Sequence, residues 1–314
     1  MSFKIVKLDK NRDYEKWNRF LKDADGKTIF HSLDFLSYHK DRFNEHHLGV
    51  IKGEELVGII PLAIENKIAS SPYGASYGGF LFKKTQTYSN SKKIVKAFIE
   101  YLKDLDVKEI YIRPSIGIYY EKEYSQTFLF AMLEEGFKVI NSDITSVVDL
   151  TKDTLFTSRA RNMARKALKY GVKIKFRSNL DDFWLLMEKT YARHQKNPTH
   201  TKEEYRYLMQ KLPENIYCHV AYIDDIPIAG IGVFELNRSN IMSFYLCKDE
   251  SYKHLQGQTL LIRDTILDAK ERGFKYFDFG TSSTNMIGSE SVFKFKESFG
   301  AIGLFRETYH WSLK

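Results

Sequence analysis

Residues 219–234 read His-Val-Ala-Tyr-Ile-Asp-Asp-Ile-Pro-Ile-Ala-Gly-Ile-Gly-Val-Phe, and residues 47–62 read His-Leu-Gly-Val-Ile-Lys-Gly-Glu-Glu-Leu-Val-Gly-Ile-Ile-Pro-Leu. Each is an apolar strand, a polar turn and a second apolar strand. Without a gap His47 falls on His219 and Gly58 on Gly230, and the turns fall at Lys52-Gly53 and Asp224-Asp225. Working outward, each hairpin is followed by a helix and a strand. Ile94, Phe98, Ile99 and Leu102 share one helical face over 91–105, ahead of a strand at 109–113. Leu260, Leu261, Ile266 and Leu267 mark a second helix at 257–272, with Gly273 at its C-terminal cap and a strand at 276–280. Lys108 and Lys275 recur at nearly the hairpin offset. The chain therefore reads as α/β (α+β). It repeats a strand-strand-strand-helix-strand unit in two tandem domains, each a mixed central sheet flanked by helices.

Length agrees, since 314 residues exceed one ordinary core and divide into domains expected at 1–150 and 151–314. The composition, 43% hydrophobic and 28% charged, excludes disordered and fibrous classes. No apolar run approaches the roughly 18 residues that cross a bilayer, and charges interrupt the first residues, so a cytoplasmic location is expected. Cys218 and Cys247 offer neither a disulfide framework nor a ligand spacing. Adjacent His46 and His47 point to opposite faces of a strand, so no metal is expected. Lys and Arg number 48 against 40 Asp and Glu, a net charge of +8. Such a surface favours anionic partners: coenzyme phosphates, nucleotide-linked substrates, RNA or anionic lipid.

The second half opens with a basic helix expected over 153–170. Phe156, Ala160, Met163, Ala164, Ala167 and Leu168 form its apolar stripe, and Arg161, Arg165 and Lys169 lie four apart on another face. Helices are expected at 180–193 and 202–211, separated by a loop containing Pro198.

HExxH, P-loop and strand-borne GxGxxG patterns are all absent. The stretch Tyr252-Lys253-His254-Leu255-Gln256-Gly257-Gln258-Thr259 lies between a strand and a helix, where backbone N–H groups and the helix dipole favour an anion. Gly257 there admits close approach of a pyrophosphate. The loop at 70–79, with three glycines, Tyr73 and Tyr77, suits a sugar or phosphate, or is simply a turn. Asp278 alternates with Phe277 and Phe279; it either accepts an amine proton or bonds the turn backbone. Lys296 suits a developing oxyanion or a phosphate. Tyr245 either protonates a leaving group or walls a cleft.

His254, Gly257 and Thr259 stand at the positions of the Gln/Arg-x-x-Gly-x-Gly/Ala loop of the GNAT superfamily. The ordered set Phe30-His31-Ser32, Arg161-Asn162-Met163-Ala164-Arg165-Lys166-Ala167, Phe277-Asp278-Phe279-Gly280 and Phe295-Lys296-Glu297-Ser298-Phe299-Gly300 resembles the FemAB-like branch of that superfamily. The resemblance implies two GNAT-like domains and an amide-forming acyltransferase, with Asp278, Lys296 and Tyr245 as catalytic candidates. It implies acyl-CoA as donor, held by His254, Gln256, Gly257, Gln258 and Thr259. The acceptor it implies is a primary amine of a cell-surface polysaccharide or peptidoglycan-type precursor, small, nucleotide-linked or lipid-linked. Tyr73, Tyr77, Arg161, Arg165, His194 and Phe295 are the candidates to meet it. Aminoacyl-tRNA is the alternative donor, although the family's antiparallel coiled-coil insertion is missing. A non-catalytic scaffold binding RNA or glycan is a further alternative. Peripheral membrane contact through the 159–169 helix face competes with that face serving as core.

Overall fold

A computed structural model describes residues 2–153 and 156–313. The chain forms two compact units, residues 1–142 with 305–314 and residues 143–304, so the division falls at 142/143 and the last residues return to the first unit. The first unit contains β1 (Phe3–Lys7), α1 (Tyr14–Asp23), α2 (Leu33–Leu36), β2 (Leu48–Lys52), β3 (Glu55–Ile60), β4 (Ala63–Glu65), β5 (Ile68–Ser71), β6 (Leu81–Phe82), α3 (Tyr88–Asp104), β7 (Glu109–Ile112), α4 (Thr127–Glu134) and the start of β8 (Lys138–Asp149). The second contains the rest of β8, α5 (Ser158–Lys169), β9 (Lys173–Lys175), α6 (Leu180–His194), α7 (Lys202–Lys211), β10 (Ile216–Ile223), β11 (Ile226–Glu235), β12 (Asn240–Lys248), α8 (Gly257–Glu271), β13 (Tyr276–Thr281), a small hairpin of β14 (Ser283–Thr284) and β15 (Ile287–Gly288), α9 (Glu290–Glu297) and the start of β16 (Ala301–Ser312).

The strands of the first unit fall into two groups rather than one central sheet. β1, β2, β3 and β6 are neighbours in one, and β4, β5, β7 and the end of β16 in the other, where β5 and β7 run parallel. Pro61 and Leu62 interrupt the path from β3 to β4, and Pro61 has no N–H for a ladder. Helix α3 begins three residues earlier than its apolar spacing predicts, because the Thr87 side chain accepts the Asn90 N–H and caps it. Its buried face is Ile94, Val95, Phe98, Ile99 and Leu102, each side chain contributing roughly 1.5–3 kcal/mol by leaving water.

In the second unit the order is β8-β13-β12-β11-β10-β9, and only β12 and β13 are parallel. Hairpin β10–β11 closes at Asp224 and Asp225, both at positive φ, as a tight two-residue turn requires. Hairpin β2–β3 closes at Gly53-Glu54, one residue later than expected. By geometry Gly53 therefore corresponds to Asp224, one residue off the ungapped match of His47 with His219. Helix α5 is shorter than 153–170: Thr157 caps it through the Ala160 N–H at 3.3 Å, and Gly171 closes it at positive φ. Its buried stripe is only Ala160, Ala164 and Ala167, and Leu168 is 50% exposed. Helix α7 has the expected bounds, fixed by a reciprocal capping box between Thr201 and Glu204.

Candidate active site

Two features of the second unit create a site. The first is a gap between parallel neighbours. β12 pairs with β13 only from Asn240 to Met242, although β12 runs on to Lys248. Beyond Met242 that side of β12 has no strand partner among the described residues. In the same place β12 bulges: Gly232 pairs with Tyr245 and Val233 with Ser243, so Phe244 is extra. Ser243 is 4% exposed, and its hydroxyl has no hydrogen-bond partner among the described residues. A buried hydroxyl left so costs about 1–3 kcal/mol unless something completes it.

The second feature is the start of α8. The 3₁₀ turn Glu250–Leu255 runs into Gln256, which is left-handed, and no side chain caps α8. The first N–H groups of a helix lack intrahelical partners and carry its positive end. A cavity of about 710 Å³ opens there. His254, Gln256, Gly257, Gln258 and Thr259 all line it, as does Phe295 from α9. The equivalent helix of the first unit, α3, is capped by Thr87 and lacks this property.

Gly257 contributes differently from the expectation. A Cβ there would stand 2.6 Å from Cδ1 of Ile228 on β11, so the missing side chain lets α8 press onto the sheet, and only its backbone can line the cavity. Sequence reading missed Arg159, Met163, Lys248, Lys253 and Lys294 in the lining. Lys248 is paired with Glu250 at 3.1 Å and Lys294 with Glu290 at 2.6 Å. Arg159 and Lys253 have no carboxylate partner among the described residues. Helical spacing put Met163 in the core stripe, because which face of α5 meets the cavity depends on how α5 packs on α8.

Asp278 and Lys296 come together behind this site. Asp278 is fully buried, and its Oδ1 accepts from Thr145 Oγ1 at 2.6 Å and from the Gly280 N–H at 2.7 Å. The carboxylate thus bonds the turn backbone, one of its two expected roles, and has no exposed surface to offer an amine. The Lys296 ammonium, 5% exposed, donates to the carbonyls of Gly280 at 2.8 Å and Thr281 at 2.7 Å. Burial lowers its pKa to about 8, against the opposing charge of Asp278. Neither residue lines the cavity; together they fix the end of β13 that bounds the gap.

The other candidates lie elsewhere. The Tyr245 hydroxyl is 2.7 Å from His200 Nδ1 and accepts the His200 backbone N–H at 3.1 Å, within an aromatic group that includes Tyr205 and Tyr191. Tyr73 and Tyr77 are 4% and 0% exposed in the first unit. The Tyr73 hydroxyl donates to Glu45, and the 70–79 loop is knit inward by Tyr38 and His39 at the Gly74 carbonyl. That loop is an internal turn, because its carbonyls are spent on buried side chains. Arg161 and Arg165 are exposed and bond their own helix, at the Phe156 carbonyl and at Asn162. They lie outside the cavity because Arg159 and Met163 occupy the face that meets it. His194 ends α6, and its side chain lies outside the described residues. No group of His, Cys, Asp and Glu suited to a metal occurs among the described residues, and no helix among them is long and apolar enough to cross a membrane.

Residues 156–296 match the family model described as an acetyltransferase (GNAT) domain. The fold is similar to that of FemX, at 14% identity and a TM-score of 0.71, covering 99% of this chain and 97% of that one. It is also similar to L-PGS from Bacillus licheniformis, at 12% identity and 0.63, covering 98% and 93%. A tandem GNAT protein from the clavulanic acid biosynthesis pathway matches at 11% identity and 0.56, covering 99% and 98%. No curated protein sequence matches the chain.

Proposed function

We propose that this chain, an acyltransferase by its GNAT domain over residues 156–296, moves an acyl group from acyl-CoA to a primary amine, with the donor seated in the second unit. One observation carries the reading: the 710 Å³ cavity stands at an uncapped helix start and presents Arg159 and Lys253, cations with no carboxylate partner among the described residues. Pyrophosphate would take the N–H groups of Gly257, Gln258 and Thr259, with His254 and Gln256 beside them. The acyl end would enter the gap between β12 and β13, where N–H groups of the bulged strand near Tyr245 would hold the oxyanion of the tetrahedral intermediate. One such donor is typically worth roughly 2.7–4 kcal/mol. The Ser243 hydroxyl would find there the partner it lacks. Asp278 and Lys296 act as positioning residues that hold the gap open. The amine nitrogen bonds the acyl carbon, and the intermediate collapses as the C–S bond breaks and CoA leaves as its thiol, taking a proton from water; the amine proton leaves to water, since Asp278 is sealed. The acceptor class is an amine of a cell-surface polysaccharide or peptidoglycan-type precursor, small, nucleotide-linked or lipid-linked.

The exposed cations of α5 favour a second reading, in which the donor is aminoacyl-tRNA. A thermal-shift panel of CoA, acetyl-CoA and bulk tRNA separates the two. A ligand at 100 times its Kd adds about 2.7 kcal/mol, a shift of roughly 5–11 °C for domains of this size. A shift with CoA carries the first reading. A shift with tRNA alone, abolished by 0.5 M salt, carries the second. No shift with any of them overturns both.

A further inference from the structure

The excess positive charge is confined to one segment. Residues 154–180 hold eight Lys and Arg and no Asp or Glu, so the rest of the chain balances 40 cations against 40 carboxylates. The whole net charge of +8 thus sits on α5, β9 and their connections. On α5 the alanine stripe faces the core. At 100° per residue, Arg161, Leu168, Arg165 and Lys169 follow one another along one flank, away from the Arg159 and Met163 side that lines the cavity. All four are exposed, Leu168 at 50%, whereas Tyr170, just past the helix, falls by the same rotation on the Arg159 side. Lys173 and Lys175 continue the positive field on the edge strand β9.

From this we infer that the outer flank of α5 docks on the surface of an anionic lipid bilayer. Cations around an exposed aliphatic side chain suit an interface where charges meet headgroups and an apolar tip enters the acyl boundary. The rings nearby are poor platforms for bases. The ammonium of Lys166 lies over the Tyr170 ring at 5.5 Å, and Phe176 packs edge-on to His219 at 4.7 Å. An aliphatic Leu168 amid the cations gains nothing from a phosphodiester backbone. Docking by this flank leaves the cavity on the other side of α5 open to its donor.

Co-sedimentation of the full chain with vesicles tests the inference. Vesicles of phosphatidylcholine with 40% phosphatidylglycerol are compared with pure phosphatidylcholine at 0.1 M salt. The chain is expected to partition at least tenfold more strongly onto the anionic vesicles. Each of Arg161→Gln, Arg165→Gln and Lys169→Gln should lower partitioning by about fivefold. Leu168→Ser should remove the part of the binding that survives 1 M salt, where the field reaches only about 3 Å. These positions are exposed, so thermal melts should show each variant folded. Equal binding to both vesicle types, or a triple Gln variant that partitions like wild type, overturns the inference. So does bulk tRNA binding that the triple variant loses while no vesicle binds.

Discussion

Two buried polar residues separate chemistry from scaffolding at the scale of the residue. Ser243 keeps an unsatisfied hydroxyl at the point where β12 leaves β13. Ser243→Ala removes that unmet group, so urea unfolding should show stability unchanged or raised by about 1 kcal/mol, while the acyl-transfer rate falls. A rate equal to wild type would remove Ser243 from the reaction. Lys296 behaves in the opposite way. Its ammonium satisfies two carbonyls and sits near the buried Asp278, so Lys296→Met strands both carbonyls and removes the positive charge that faces Asp278. It should cost about 3–5 kcal/mol in urea unfolding, and Lys296→Arg should recover part of it. The sequence offered Asp278 and Lys296 as separate candidates but could not tell a base or an oxyanion donor from a buried brace. That distinction depends on the third strand, β8, which brings Thr145 against Asp278.

In the proposed function, the element that decides donor binding is α8. Its preceding polar turn and its closing Gly273 were legible in the sequence, and so was the 254–259 stretch that lines the cavity. What was not legible is why Gly257 is glycine, since that depends on Ile228 from a strand far away in sequence. Gly257→Ala must push aside the flexible tip of Ile228, at about 1–3 kcal/mol, and tilt the helix start. Calorimetry should show acetyl-CoA affinity falling more than stability alone explains; unchanged affinity would detach this backbone from the phosphates. Helix α5 gives the converse lesson. Periodicity assigned Leu168 to the core, but the core-facing stripe is three alanines wide, because a helix lying close to α8 has no room for a leucine at its edge. The one-residue slip between the hairpins arises in the same way: ungapped identity cannot see where a turn closes, whereas positive φ at Gly53 and at Asp224 can.

The pH response of the whole molecule follows from its buried histidines. His31 is held near pKa 4, and His47 and His219 near 3, chiefly by burial. An unfolded chain keeps them near 6.5. Between those values the unfolded state binds more protons than the folded state. The stability contributed by neutral histidine is therefore complete above pH 6.5 and is lost progressively as pH falls toward 4. Three such groups give a slope of about 4 kcal/mol per pH unit in that window. Thermal melts from pH 7.5 to 4.5 should show a steep fall in Tm, and a flat profile would mean that these rings charge without opening the fold. The same scale exposes the asymmetry between the units. Both hairpin-helix-strand repeats fold, but Thr87 caps α3 whereas α8 is left open beside a cavity. The repeat was visible in the sequence; the asymmetry rests on one capping hydroxyl and on Arg159 reaching the second unit's cavity from α5. Calorimetric titration of acetyl-CoA into the wild-type chain and into the Arg159→Glu, Lys253→Glu double variant measures this directly. Saturable binding by the wild type, at least tenfold weaker in the double variant, is the predicted result, and equal binding by both or none by either would contradict it.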